Sequence, residues 1–341
     1  MHQLLIGDLP LVNGEILPDT VVGYETFGQL DPNGGNAVLI THGLTSGIDM
    51  LEPSSATGEG SWADLLRPGR ALDARHYFVV CSNVIGSSLG SSSPASRRPG
   101  TNRPWGPEFP SLTISDMVNA QRALLAALGV NRLRCVVGPS FGGMQALQWA
   151  LDYPEAVDAI GVIVSGLQWP PSLGTNALRT RLASDPAWAQ GWYVADQTPF
   201  GTMAELRYET LVAYGMQQLL EHRWPGEREK VERALRTAAQ SWARRFDANA
   251  LLVLQAAGER FDVRSRLSEY RCPMLFVPSL TDQIFPPSAE VRRQLAQLPI
   301  QPIYIELDTP FGHAASGVEL HQWEPALIQL LAQTAETTVS T

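Results

Sequence analysis

The stretch "VVGPSFGGMQALQWA", Val136 to Ala150, joins an apolar run to a helical pattern through one serine with a glycine two residues to either side. A strand that turns directly into a helix holds the intervening residue in a strained backbone. Glycine is needed on both sides because a Cβ there would strike neighbouring backbone. The turn Gly138-Pro139-Ser140-Phe141-Gly142 therefore projects the Ser140 hydroxyl off the end of the strand. The start of the helix adds a partial positive charge and places the backbone N–H of Phe141 beside a developing oxyanion. The competing reading is a serine that merely fits a tight turn in a chain with 29 glycines.

A hydroxyl is a weak nucleophile until a histidine takes its proton and a carboxylate orients that histidine. At a strand-to-helix turn of this kind the chain order is serine, acid, histidine, with the acid after a late strand and the histidine in the last loop. Among six histidines, His313 in "DTPFGHAASG" follows the strand-like run "PIYIEL", and Asp282 in "SLTDQIFPP" follows "PMLFVPS". Asp308 competes as the acid, but it stands only five residues before His313 and suits a loop-shaping role better. His321 opens the terminal helix and reads as a solvated or capping residue. A second oxyanion donor is expected from the loop after an early central strand. "VLITHGLTSG", Val38 to Gly47, has that form, with the N–H of Leu44 as the donor and His42 as a structural hydrogen-bonding residue.

Apolar runs at Val21–Tyr24, Ala37–Thr41, Tyr77–Cys81, Cys135–Val137 and Ala159–Val164 alternate with helix-type segments. Such alternation predicts an α/β fold with a mostly parallel central sheet and helices on both faces. Thr113 to Val130 carries Met117, Ala120, Leu124, Leu125 and Leu128 on one face and ends at Gly129, so it reads as an amphipathic helix. From about Gly166 to Leu267 the pattern is helical and rich in Trp, Arg and Gln. The expected organisation is a core of residues 1–166 and 268–341 interrupted by a helical cap over 167–267. The Gly/Ser/Pro-rich stretch from Gly86 to Pro110 is either disordered or lines a site.

With 341 residues the chain can bury a large core. A net charge of −9 argues against nucleic-acid binding, which needs clustered positive potential. The cysteines Cys81, Cys135 and Cys272 share no metal-ligand spacing and read as buried thiols, so no metal is expected. The N-terminus lacks signal-peptide character and no run of 18 apolar residues occurs, which predicts a cytoplasmic protein without a membrane partner.

The segments "THGLTSG", "GSWADLLRPGRALD", "YFVVCSNVIGSSLGSSSP", "PWGPEFPSLTISDMVNAQ", "GPSFGGMQALQWALDYPE", "RRFDANALLVLQA", "TDQIFPP" and "FGHAASGVEL" occur in this order over nearly the whole chain. Together they resemble the homoserine O-acetyltransferase family of α/β-hydrolase-fold enzymes. The resemblance implies an acyl-Ser140 intermediate, His313 as base, Asp282 as its orienting acid, an oxyanion hole of Leu44 and Phe141, and no resident cofactor. It implies ping-pong transfer of an acetyl group from acetyl-CoA or an ester, and a homodimer formed through the cap. Arg179 matches an arginine that holds the acceptor's carboxylate, although Leu178 precedes it where the family has glutamine.

Position 314 departs from that pattern. The amino-acid acetyltransferases carry an aspartate after the histidine to bind the acceptor's ammonium, and this chain has Ala314. Losing a charge-assisted hydrogen bond costs about 1.5–3 kcal/mol, or roughly ten- to hundredfold in affinity. The expected function is therefore hydrolysis of short, mainly acetyl, esters. The alternative is acyl-CoA-dependent O-acylation of a small hydroxyl compound, and a non-catalytic binding protein is the third class.

Overall fold

A computed structural model describes residues 1–53, 60–171, 174–194 and 197–339. Eight strands form one sheet: β1 (His2–Pro10), β2 (Ile16–Phe27), β3 (Ala37–Ile40), β4 (Phe78–Ser82), β5 (Cys135–Pro139), β6 (Ile160–Ile163), β7 (Met274–Val277) and β8 (Ile303–Tyr304). Their order is β1-β2-β4-β3-β5-β6-β7-β8. The β1/β2 and β2/β4 pairings are antiparallel and all others are parallel. Strands β3, β5, β6 and β7 are buried along their whole length, as the unbroken apolar runs of a sheet covered on both faces require.

In the N-terminal hairpin the expected run Val21–Tyr24 falls inside β2, whereas β1 matches no expected strand. In β1 the alternation is broken where the register with β2 shifts around Gly7, and Leu5 stays exposed at the sheet edge.

The helices are α1 (Ile114–Ala127), α2 (Phe141–Asp152), α3 (Thr175–Ala183), α4 (Phe200–Ala213), α5 (Met216–Arg223), α6 (Arg228–Ala243), α7 (Ala248–Glu259), α8 (Ala289–Ala296), α9 (Ala315–Val318) and α10 (Leu320–Val339). Thr113 caps α1 in a reciprocal box with Asp116, which fixes where the expected amphipathic helix begins. None of the described helices is long and apolar enough to cross a membrane.

Helices α3 to α7 lie between β6 and β7 in the chain. This excursion leaves and returns side by side: Val263 N–H donates to Leu167 O (2.9 Å) and Trp169 N–H to Phe261 O (3.2 Å). The inserted helices divide by packing. Leu178 and Leu182 of α3 and Leu251, Leu252 and Leu254 of α7 join the main core, while Leu211, Leu220, Val231, Leu235 and Ala239 of α4–α6 form a small core of their own.

Candidate active site

Ser140 sits between β5 and α2 with φ 56° and ψ −123°, a left-side conformation that costs a non-glycine residue of order 1–3 kcal/mol. Its surroundings enforce that geometry. A Cβ on Gly138 would lie 2.2 Å from Thr41 Oγ1, and one on Gly142 2.2 Å from Thr41 O. The glycines thus let the turn press against the end of β3, where Thr41 Oγ1 donates to Gly142 O at 2.8 Å. Ser140 N–H donates to Ile163 O (2.9 Å), and Ser165 Oγ donates to Ser140 O (2.6 Å), so β6 holds the other flank.

The loop bearing Leu44 is locked to the same helix by a buried polar chain. Trp149 Nε1 donates to Gln121 Oε1 (2.7 Å), Gln121 Nε2 to Gln145 Oε1 (2.7 Å), and Gln145 Nε2 to His42 O (3.1 Å). His42 accepts from Val84 N–H at Nε2 (3.0 Å), and its Nδ1 pairs with Gly43 O (2.7 Å). Burial pushes its pKa below the ordinary imidazole value, and the two backbone partners assign a neutral ring with the proton on Nδ1. His42 thus ties the loops after β3 and β4 together.

His313 and Asp282 meet at the C-terminal ends of β7 and β8. His313 Nδ1 stands 2.8 Å from Asp282 Oδ2, with both side chains buried. Asp282 Oδ1 accepts from the N–H groups of Ile284 (2.8 Å) and Phe285 (3.2 Å), so the carboxylate is aimed before it meets the ring. A carboxylate on Nδ1 fixes the tautomer in which Nε2 is the proton acceptor. Asp308 is exposed and His321 is 75% exposed by side chain.

Contacts lead from Ser140 to His313 through Ser165, whose neighbour Gly166 abuts the Phe285 ring, which stacks on the imidazole (centroids 5.9 Å). The inserted helices supply a second ring, that of Tyr214, 4.4 Å from that of His313, and the Tyr214 carbonyl accepts from Ala314 N–H (2.9 Å). Gly215 must be glycine here: its φ is +87°, and a Cβ would lie 2.4 Å from Phe311 O. Ala314 itself is fully buried.

A cavity of about 350 Å³ is lined by Leu44 and Tyr214 together with Trp169, Leu178, Arg207 and Trp242 among others. Arg179 is not brought to it. On α3 the inward face is Thr175, Leu178 and Leu182, and Arg179, one residue past Leu178, is turned to solvent. The buried guanidinium at the cavity is Arg207 of α4, whose Nη1 donates to Thr45 Oγ1 (2.6 Å) and whose Cζ lies 5.3 Å from the centroid of the Trp242 ring. Sequence reading passed over Arg207 because an arginine in a Trp/Arg-rich helical segment carries no local mark of burial. Arg98 and Arg103 of the long loop share Glu108 and lie over Trp105 and Trp192. Among the described residues no cluster of His, Cys and acidic side chains could hold a metal.

An eight-stranded, mostly parallel sheet carrying a strained serine at the strand-to-helix turn defines the class of the alpha/beta hydrolase fold, whose family matches residues 36–316. The chain is 33% identical to a homoserine O-acetyltransferase of Carboxydothermus hydrogenoformans (96% of this chain, 94% of that one) and 35% identical to one of Moorella thermoacetica (92% and 91%). It belongs to the homoserine O-acetyltransferase family. The crystal structure of a variant of esterase E22 superposes with a TM-score of 0.84 at 25% identity, covering 97% of this chain and 98% of that one. Acyl transfer and ester hydrolysis are accordingly the chemistry found at the level of the family.

Proposed function

We propose that the protein hydrolyses short-chain carboxylic esters through an acyl-Ser140 intermediate. Ser140 Oγ attacks the ester carbonyl while His313 Nε2 takes its proton, and Asp282 holds the resulting imidazolium in place. The N–H groups of Leu44 and Phe141 receive the oxyanion. Collapse expels the alcohol, which carries away the proton from His313. Water, deprotonated in turn by His313, then attacks the acyl carbonyl, and collapse releases the acid while His313 returns the proton to Ser140 Oγ.

What supports this reading over transfer to an amino acid is Ala314: beside His313, in a fully buried position, the chain has a methyl group and no carboxylate for an ammonium. One observation favours acyl transfer to a small hydroxy acid as a second reading. Arg207 brings a buried guanidinium to the cavity wall next to Leu44, the type of donor group that recognises a carboxylate.

Mass spectrometry of the intact protein after mixing with p-nitrophenyl acetate or acetyl-CoA tests both readings. Hydrolysis predicts an acetyl adduct from the simple ester that decays in water and is absent in Ser140→Ala. Strong acceleration of decay by homoserine, with acetylhomoserine as product, would overturn it. Ala314→Asp is expected to improve homoserine binding by about ten- to hundredfold if the ammonium site is the missing part.

A further inference from the structure

The cavity beside Leu44 is lined by α3 and α4, which share the main core through Leu178, Leu182, Met203 and Ala204 but differ in their other packing. Helix α3 packs chiefly on α7 and the main core, and α4 on α6 in the small cap core. At the cavity's depth Leu44, Thr45, Arg207 and Trp242 are buried. At its outer edge the lining changes to Ala177 and Glu209, both exposed, and Arg181. There Arg181 of α3 and Glu209 of α4 form a two-pronged ion pair, Nη1 to Oε2 and Nη2 to Oε1 (2.8 Å), with side chains 38% and 56% exposed. The pairing holds the Glu209 carboxyl below and the Arg181 guanidinium above their ordinary pKa values, so both stay charged.

An ion pair this exposed contributes at most about 1 kcal/mol, too little to be what holds the cap. The same weakness lets it part and re-form at thermal cost. Both residues line the cavity and both reach solvent, so the pair stands on its exposed side and not in a core.

We propose that the Arg181–Glu209 pair is the gate of this cavity and determines how large an ester group enters it. The inference rests on the reading of Ser140 as the acylated serine. Small esters pass beneath the closed pair, whereas a longer acyl chain or bulkier alcohol enters only when the two side chains separate. The cost of separation therefore falls on large substrates alone.

The test compares kcat/KM for p-nitrophenyl acetate, butyrate and octanoate, and for acetates of ethanol, butanol and hexanol. The proteins are the wild type, Arg181→Ala, Glu209→Gln and the reversed double variant Arg181→Glu/Glu209→Arg. The readout is the ratio of large to small substrate within either series. Each single variant is expected to raise that ratio about two- to fivefold, the factor an exposed ion pair is worth. The reversal should bring it back toward the wild type. Salt near 1 M should raise the ratio in the wild type and leave the single variants unmoved, because it screens exposed charges. The salt arm needs no substitution and stands even if a variant misfolds. A ratio unchanged in both series, or equal salt response in all proteins, overturns the gate. Ser140→Ala in the same assay separates the two failures: residual turnover there would overturn the acyl-serine reading itself, whereas an inert Ser140→Ala with an unmoved ratio overturns the gate alone.

Discussion

Around Ser140 the neighbours are backbone atoms and small side chains at closest approach, so a single added methyl on Gly138 or Gly142 would overlap Thr41. Across the cavity, α3 and α4 face each other through long charged side chains that keep contact with water. The first region tolerates one geometry because its constraints are steric and covalent. The second has several geometries within about 1 kcal/mol of one another, because exposed charges lose little when they separate. On the reading proposed above, the chemistry that needs fixed angles belongs to the first and the admission of substrate to the second. Tyr214 couples them: it belongs to the cap, yet it packs on His313 and binds Ala314 N–H.

The contrast breaks most decisively at the serine. Ser140→Ala or His313→Ala should lower kcat by about 10⁴-fold or more with the melting temperature of Ser140→Ala retained, and Asp282→Asn should lose less than the serine change does. A large fall in stability for Ser140→Ala would mean that the hydroxyl is structural. Next in size, Leu235→Ala in the cap core should cost about 2–5 kcal/mol of local stability. Hydrogen exchange should then rise in α4–α6 and not in α2; equal loosening of both would show that the regions are one cooperative unit.

Gln145→Leu should cost about 1–3 kcal/mol by stranding Gln121 and the His42 carbonyl. It should also reduce kcat more than KM changes, since the loop bearing Leu44 loses its tie to α2. Urea titration beside steady-state kinetics checks this, and an unchanged kcat would remove the loop from the oxyanion account.

The smallest effect concerns His42. Its pKa is lowered in the folded protein by burial, so the unfolded chain binds a proton more readily. Stability from this residue is present above the ordinary imidazole value of about 6.5 and is lost as pH falls below it. Melting temperatures from pH 7.5 down to 5 should drop less steeply in His42→Asn than in the wild type, and parallel slopes would assign the acid sensitivity elsewhere.

Much of the sheet could be read from the residues because buried parallel strands are unbroken apolar runs, as in Val136–Val137 and Ile160–Ile163. In the hairpin, Val21–Tyr24 of β2 is legible as a strand, while β1 is not, because most of its residues are exposed or half-buried and its register with β2 shifts. Asp282 and His313 were legible from their place after the last strands, and the structure sets them 2.8 Å apart. Arg179 and Arg207 show the opposite case. Both are arginines on helices of the inserted segment, and only packing turned one outward and the other into the cavity.

Local sterics are written in a few consecutive residues, so the glycines at 138 and 142, the serine between them and the apolar strand before them determined the turn on their own. The orientation of a helix about its axis, the ring of Tyr214 against His313, and the meeting of Arg181 with Glu209 depend on residues far apart in the chain. Those contacts were decided only by tertiary structure, because the free energy that selects them comes from burying one element against another.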